Sequence, residues 1–197
     1  MTQQDYGKKW NSTPLPAYRV FVSSTYEDMM PYREAVQRAL SQAACVARGM
    51  KRFGARSNPV LEASYRELAE CQIYVGVLGM RYGTVDKKTG RSYNELEFEK
   101  ARELGIPRLV FLPDENKMEF RVAEIDIGEK AERLEKFKKS ITDSKEVICD
   151  FFDSTASLQR SVLKLINAEI KRQEKQSRCN PVKTPSKRTV GVSRVVV

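Results

Sequence analysis

Short apolar runs alternate with longer segments of helical periodicity along most of the chain. Residues 18–23, 73–79 and 107–113 are runs of the kind that form buried strands. Residues 146–152 are also rich in β-forming residues, and a weaker strand is expected within residues 46–53. The run at 73–79 (IYVGVLG) is apolar on both faces, which is typical of a central strand in a parallel sheet.

Segments with apolar residues at helical spacing separate these strands. Helices are therefore expected over roughly residues 28–44, 57–70, 92–104 and 129–141, with a last one from residue 154 onward. Strands that alternate with helices in this way indicate an α/β domain with a parallel sheet. Right-handed crossovers and about five strands favour a three-layer sandwich with the flavodoxin-like strand order 2-1-3-4-5.

The segment 92–105 carries signals for both ends of a helix. Ser92, followed three residues later by Glu95, has the spacing of a capping box, in which each side chain bonds the other residue's backbone N–H. Gly105 favours the left-handed conformation that ends many helices. One face of the helix is apolar and comprises Tyr93, Leu96, Ala101 and Leu104, with Phe98 at its edge.

Glu97 lies in the middle of that apolar face, whereas Glu95, Glu99 and Glu103 point away from it. Burying an unpaired carboxylate costs several kcal/mol or raises its pKa. A chain that buries this helix must therefore give Glu97 a hydrogen-bonding partner, a cavity or a chemical role.

Polar side chains follow the two strands between which the strand order reverses. In sheets of this order, ligands bind beyond the carboxyl ends of strands 1 and 3. The helix with Glu97 follows the loop after strand 3, so its carboxylate is expected at the same rim. The other side chains expected there are Ser23, Ser24 and Thr25 after strand 1, and Arg81 and Tyr82 after strand 3.

Each of these side chains also has a purely structural interpretation. The hydroxyls at 23–25 can cap the first helix, and Arg81 can pair with a surface acid. Tyr82 can belong to a turn with the glycine that follows it. Glu97 can be satisfied by hydrogen bonds from Ser23 or Arg81. The sequence leaves these alternatives open.

The net charge of +9 is concentrated at the carboxyl end of the chain. Residues 171–197 carry eight basic side chains and one acid, a net of +7, so the other 170 residues carry only +2. The basic character therefore says little about a ligand of the folded domain. We expect a flexible arm over residues 1–17, a domain over 18–175 and a basic, disordered tail over 176–197.

The histidine and cysteine content limits the possible chemistry and indicates a cellular compartment. Histidine is absent, which excludes Ser-His-Asp and Cys-His catalysis and histidine-containing zinc sites within this chain. The four cysteines are far apart and form no CxxC pair, which favours a reduced, cytoplasmic protein. No apolar run approaches the roughly 20 residues that span a bilayer, and residues 1–17 lack the apolar segment of a signal peptide. We therefore expect no membrane association, and nucleic-acid binding only through the basic tail.

Four stretches of the sequence together resemble one family: VFVSSTYED at 20–28, FGAR at 53–56, YVGVLGMRYG at 74–83 and SYNELE at 92–97. In this order they are similar to the TIR-like domain of unknown function DUF4062, over roughly residues 18–113. That domain often precedes NACHT-type NTPase and repeat domains in larger signalling proteins. The resemblance implies a TIR-like fold and a role in signalling or defence.

The resemblance also implies chemistry at Glu97. TIR domains that cleave NAD use a glutamate on the helix after the fourth strand of their own count. A small residue commonly follows it four positions later, and then a glycine. Glu97, Ala101 and Gly105 match this spacing, and Tyr93 lies where TIR domains often carry an aromatic residue. Nucleoside deoxyribosyltransferases, which have a related fold, also resemble this arrangement, with a helix glutamate near a ribose.

Two functions are implied by the resemblance. The first is an NAD glycohydrolase that cleaves the nicotinamide–ribose bond, with Glu97 as the catalytic residue and no metal or further cofactor. The alternative is a non-catalytic module that self-associates or recruits a signalling or effector partner protein. For an NAD-type nucleotide, the ligand-binding candidates are Ser23, Ser24 and Thr25 for ribose or phosphate oxygens, Arg81 for the pyrophosphate, and Tyr82 or Tyr93 for stacking on a ring.

Overall fold

The computed structural model describes residues 17–26, 28–49 and 59–179, with only the backbone described at 59 and 60. The predictions for residues 1–16 and 180–197 and for the FGAR stretch lie outside the described residues. Within them, strands and α-helices alternate along the chain, as the sequence predicts. No helix in these ranges is both long enough and apolar enough to cross a bilayer.

The sheet is parallel throughout and has the predicted order. Its strands are β1 (Arg19–Ser24), β2 (Val46–Arg48), β3 (Ile73–Val77), β4 (Arg108–Pro113) and β5 (Val147–Phe152). They lie in the order β2-β1-β3-β4-β5, so the flavodoxin-like prediction is confirmed. The helices are α1 (Met30–Gln42), α2 (Pro59–Ala69), α3 (Tyr93–Glu103), α4 (Glu129–Thr142) and α5 (Thr155–Cys179), with a 3-10 turn at Val122–Glu124.

Apolar side chains on the two faces of the sheet form two hydrophobic clusters. On one face, Leu40 of α1 and Ile166 of α5 belong to the same cluster as Phe111 of β4. On the other face, Phe98 of α3 and Phe137 of α4 pack edge to face, with ring centroids 5.4 Å apart. The sheet therefore lies between two helical layers, which confirms the predicted three-layer sandwich.

Two helices end at different places from those predicted. α5 continues to Cys179, four residues beyond the expected domain end at residue 175, because no glycine or proline interrupts the chain before Pro181. In contrast, α3 ends at Glu103, and Leu104 is its C-cap residue. Leu104 was expected on the buried face of α3, but it is exposed because the chain turns away at Gly105, whose φ is +66°.

Ser92 caps α3, but only half of the predicted capping box forms. The Ser92 hydroxyl accepts a hydrogen bond from the Glu95 backbone N–H at 3.2 Å. The Glu95 carboxylate does not return this bond, because it accepts instead from the Tyr82 hydroxyl and from Arg91 Nε. The start of α3 is thereby fixed to the loop that precedes it.

Candidate functional site

The carboxyl end of β1 meets α3 at one rim of the sheet. Ser23 lies opposite Gly76 of β3 in the parallel register. Its hydroxyl donates to Glu97 Oε2 of α3 at 2.5 Å. The close approach that the sequence predicts between strand 1 and the helix after strand 3 is therefore present at these two residues.

Each oxygen of the Glu97 carboxylate accepts a hydrogen bond from a serine hydroxyl group. Ser23 binds Oε2, and Ser64 of α2 donates to Oε1. Both serines are buried, whereas Glu97 retains partial exposure to solvent. Each carboxylate oxygen offers a second lone pair, so a ligand hydroxyl can bind beside each serine. The two serines therefore orient the carboxylate of a residue that is only partly exposed.

The environment of Glu97 acts on its protonation in two directions. Burial raises the pKa of Glu97 above its usual range. The hydroxyls of Ser23 and Ser64 and the positive charge of Arg33 oppose this rise, because they favour the ionised form. Glu67 of α2 adds to the rise through like-charge repulsion. The ionisation of Glu97 therefore depends on the neighbouring residues Ser23, Ser64, Arg33 and Glu67.

This raised pKa predicts a pH-dependent difference between the wild type and Glu97→Gln. A carboxyl whose pKa is higher in the folded state stabilises the fold below its unfolded pKa and loses that contribution as pH rises through the folded pKa. The melting temperature of Glu97→Gln minus that of the wild type should therefore increase between about pH 4 and about pH 8. Thermal unfolding followed by circular dichroism measures this difference, and a constant difference across the range would contradict the raised pKa.

Arg33 of α1 is a buried charge at the same rim, which the sequence interpretation did not include. Its guanidinium donates to Ser24 Oγ at 2.5 Å and to the Ser24 carbonyl oxygen at 3.3 Å. It also lies 5.5 Å from the centroid of the Tyr26 ring, a cation–π contact. Burial lowers the pKa of Arg33, and the negative charge of Glu97 opposes this change, so each of the two groups favours the ionised form of the other.

Ser64 and Arg33 carried a signal in the sequence that could have identified them. Ser64 lies four residues before the buried Leu68, and Arg33 lies three residues before the buried Val36. Both are polar residues on the apolar side of a helix, which is the same pattern that singled out Glu97.

The other hydroxyls at the end of β1 are bonded locally. Ser24 accepts from Arg33, and Thr25 donates to Asp28 Oδ2 at 2.9 Å. The N-cap residue of α1 is Met29, which makes no side-chain capping bond. The alternative in which the residues at 23–25 cap α1 is therefore wrong.

The loop after β3 is held by acids other than Glu97. Asp126 accepts from the Tyr82 backbone N–H at 2.8 Å, lies 3.8 Å from Arg81 Nε and donates its own N–H to the Met80 carbonyl oxygen. The buried Tyr82 hydroxyl donates to Glu95. The structure thus places Arg81 beside Asp126 and directs the Tyr82 phenol to the outer side of α3.

The β3 loop nevertheless approaches the end of β1 closely. Gly83 has a φ of +88°, and a Cβ atom there would lie 3.0 Å from the Thr25 methyl group. Tyr93, the first residue of α3, is partly buried, and its backbone N–H donates to the Thr84 carbonyl oxygen at 3.0 Å. The candidates at 23–25, Glu97 and the loop after β3 therefore share one rim.

A surface groove lies beside α3, on the side of Glu95 and Glu99. This groove of about 510 Å³ is lined by Tyr82, Arg91, Glu95 and Arg133, among others, but not by Glu97. In the described part of the chain, no group of carboxylates and cysteines has the arrangement of a metal site. Glu97 is a partly exposed residue outside this groove.

The fold and the position of the site define a class of protein. A parallel sheet of this order with helices on both faces is a doubly wound, flavodoxin-like α/β domain, and Glu97 lies at its topological switch point. A family model described as "Domain of unknown function (DUF4062)" matches residues 19–167. The chain belongs to the DUF4062 family, which confirms the family that the four stretches suggested. A comparison with curated proteins gave no match.

Proposed function

We propose that this DUF4062 domain is an NAD glycohydrolase of a signalling or defence system, with Glu97 as its catalytic residue. The observation that supports this most is the position of Glu97, a partly exposed acid at the switch point with a hydroxyl on each oxygen. In flavodoxin-like sheets this is the place where ligands bind.

An ionised Glu97 suits the chemistry of nicotinamide–ribose cleavage. When the C1′–N bond breaks, its electron pair goes to the pyridinium nitrogen, which leaves as neutral nicotinamide. The ribose then carries positive charge, which a nearby carboxylate stabilises. Water adds to C1′ and gives up a proton to complete the hydrolysis. No metal or further cofactor takes part in these steps.

The remaining candidates are assigned by their place at the rim. Ser24 and Thr25 are suited to bind ribose or phosphate oxygens, and buried Arg33 adds positive charge beside them. Arg81 is proposed to bind the pyrophosphate at the outer edge of the rim, where its side chain is partly exposed beside Asp126. The ring of Tyr93 is proposed to contact a base of the dinucleotide, whereas the ring of Tyr82 is buried and its hydroxyl bonds Glu95, so Tyr82 is not proposed as a ligand-binding residue.

A second function, a self-association or recruitment module, is supported by apolar side chains near the same rim. Val122 and Ile127 are 87% and 83% exposed in the segment that Asp126 ties to the β3 loop. We propose a cytoplasmic location for either function, because the four cysteines are unpaired thiols.

Incubation of concentrated protein with NAD, followed by chromatography for nicotinamide, tests the first function. High protein concentration and a crowding agent ensure that assembly does not limit the reaction. Nicotinamide release supports a glycohydrolase. A rise in melting temperature with NAD or ADP-ribose but without product supports the binding module instead. If neither nucleotide shifts the melting temperature and no product forms, the nucleotide site is contradicted.

A further inference from the structure

Ser64 links α2 to the carboxylate of Glu97. Ser64 is only 4% exposed, and its hydroxyl donates to Glu97 Oε1. The two helices also contact each other at the next residue of α2, where the Lys100 ammonium of α3 lies 5.6 Å from the centroid of the Tyr65 ring. Ser64 therefore lies at a packed helix–helix interface, where its own position is fixed.

We propose that Ser64 is a positioning residue, whose hydroxyl holds the Glu97 carboxylate in the orientation that glycosidic-bond cleavage requires. This role rests on the proposed function of Glu97. Ser23 anchors only Oε2, and with that bond alone the carboxylate can still rotate about its last torsion. The bond from Ser64 anchors Oε1 from a different element, so the plane of the carboxylate is fixed from two sides.

Ser64 also affects the charge of Glu97. A hydroxyl that donates to a carboxylate favours its ionised form, so removal of Ser64 should make Glu97 harder to ionise. The charged and titratable groups that interact with Glu97 from the neighbouring elements stay in place when Ser64 is replaced. They are Arg33 of α1, Tyr65 and Glu67 of α2, and Tyr74 of β3. A change in Glu97 titration would thus report on Ser64.

The test compares Ser64→Ala and Ser64→Thr with the wild type. Ser64→Ala should lower kcat by roughly 10- to 100-fold and change KM by less than about threefold, because orientation rather than ground-state binding is lost. The acid limb of its pH profile should move to higher pH. Ser64→Thr retains a hydroxyl and should restore most of the activity. Ser41→Ala, at an exposed serine of α1, serves as the matched control and should behave as wild type.

NMR titration of a ¹³C-labelled Glu97 carboxyl gives a readout that does not depend on turnover. A higher pKa of Glu97 in Ser64→Ala than in the wild type supports a hydrogen bond from Ser64 to the carboxylate, and equal pKa values overturn it. If the wild type is active and Glu97→Gln is not, but Ser64→Ala keeps the wild-type kcat and pH profile, the positioning role is overturned while the proposed function stands. If the wild type shows no turnover, both the proposed function and the role of Ser64 in catalysis are overturned. The NMR titration then tests only whether the Ser64 hydroxyl favours the ionised form of Glu97.

Discussion

Glu97→Gln should abolish nicotinamide release from NAD while leaving the fold intact. The amide has nearly the shape of the carboxylate but carries no charge to stabilise the ribosyl cation, so the rate should fall by roughly 100- to 1,000-fold or more. The fold should persist because one serine can donate to the amide oxygen and the other can accept from the amide NH₂. Chromatography of the product and thermal unfolding of the variant measure the two effects separately.

Glu103→Gln provides the matched control for this substitution. Glu103 lies on the same helix, but its side chain is exposed and accepts from Lys100 Nζ at 2.9 Å. The control should keep the wild-type rate, because it removes a charge far from the buried face of α3. Equal rates in the wild type and Glu97→Gln would contradict the catalytic role of Glu97. A loss of activity in both variants would show that general charge, rather than this carboxylate, governs the rate.

Phe111→Ala should destabilise the domain by about 3–5 kcal/mol. Phe111 is 0% exposed on β4, within the cluster that joins the sheet to α1 and α5. Loss of its ring removes apolar contacts and leaves a cavity that the surrounding strands cannot close. For a domain of this size, the melting temperature should fall by about 10 °C. Thermal and urea unfolding both measure this loss.

Phe151→Ala is the control for the packing at Phe111. Phe151 lies on the neighbouring strand β5 and is 56% exposed. Its replacement should change the free energy of unfolding by less than about 1 kcal/mol, because little buried surface is lost. Similar losses for the two phenylalanines would mean that Phe111 does not occupy the core as described.

The sheet could be predicted from the sequence because its central strands are marked locally. β3 and β4 are apolar at nearly every position, and Pro113 ends the second of them. The strand order then follows from general rules on crossovers. β2 was a weaker prediction because only Val46–Arg48 pairs with β1, and an edge strand of three residues needs little apolar character.

The candidate site could be predicted only in part, because a hydrogen-bonding partner depends on packing between distant segments. Periodicity identified Glu97, but Ser64 comes from α2, 33 residues earlier. Which polar residue of α2 faces α3 is set by the approach of the two helices. In the same way, no local pattern indicates that Tyr82 donates to Glu95 rather than facing the end of β1. The loop that contains Tyr82 is held by Asp126, 44 residues later.

The contact between Asp126 and the loop after β3 affects how a ligand can bind. Asp126 bonds the backbone at Met80 and at Tyr82, so the loop after β3 is joined near its start to the end of the segment before α4. Two loops pinned together have fewer accessible conformations than two independent ones. Their conformational entropy is therefore already reduced in the free protein, and a ligand that binds against this wall of the rim loses little more by ordering it. The rim at Asp126 is preorganised, and ligand affinity there should depend on direct contacts rather than on loop closure.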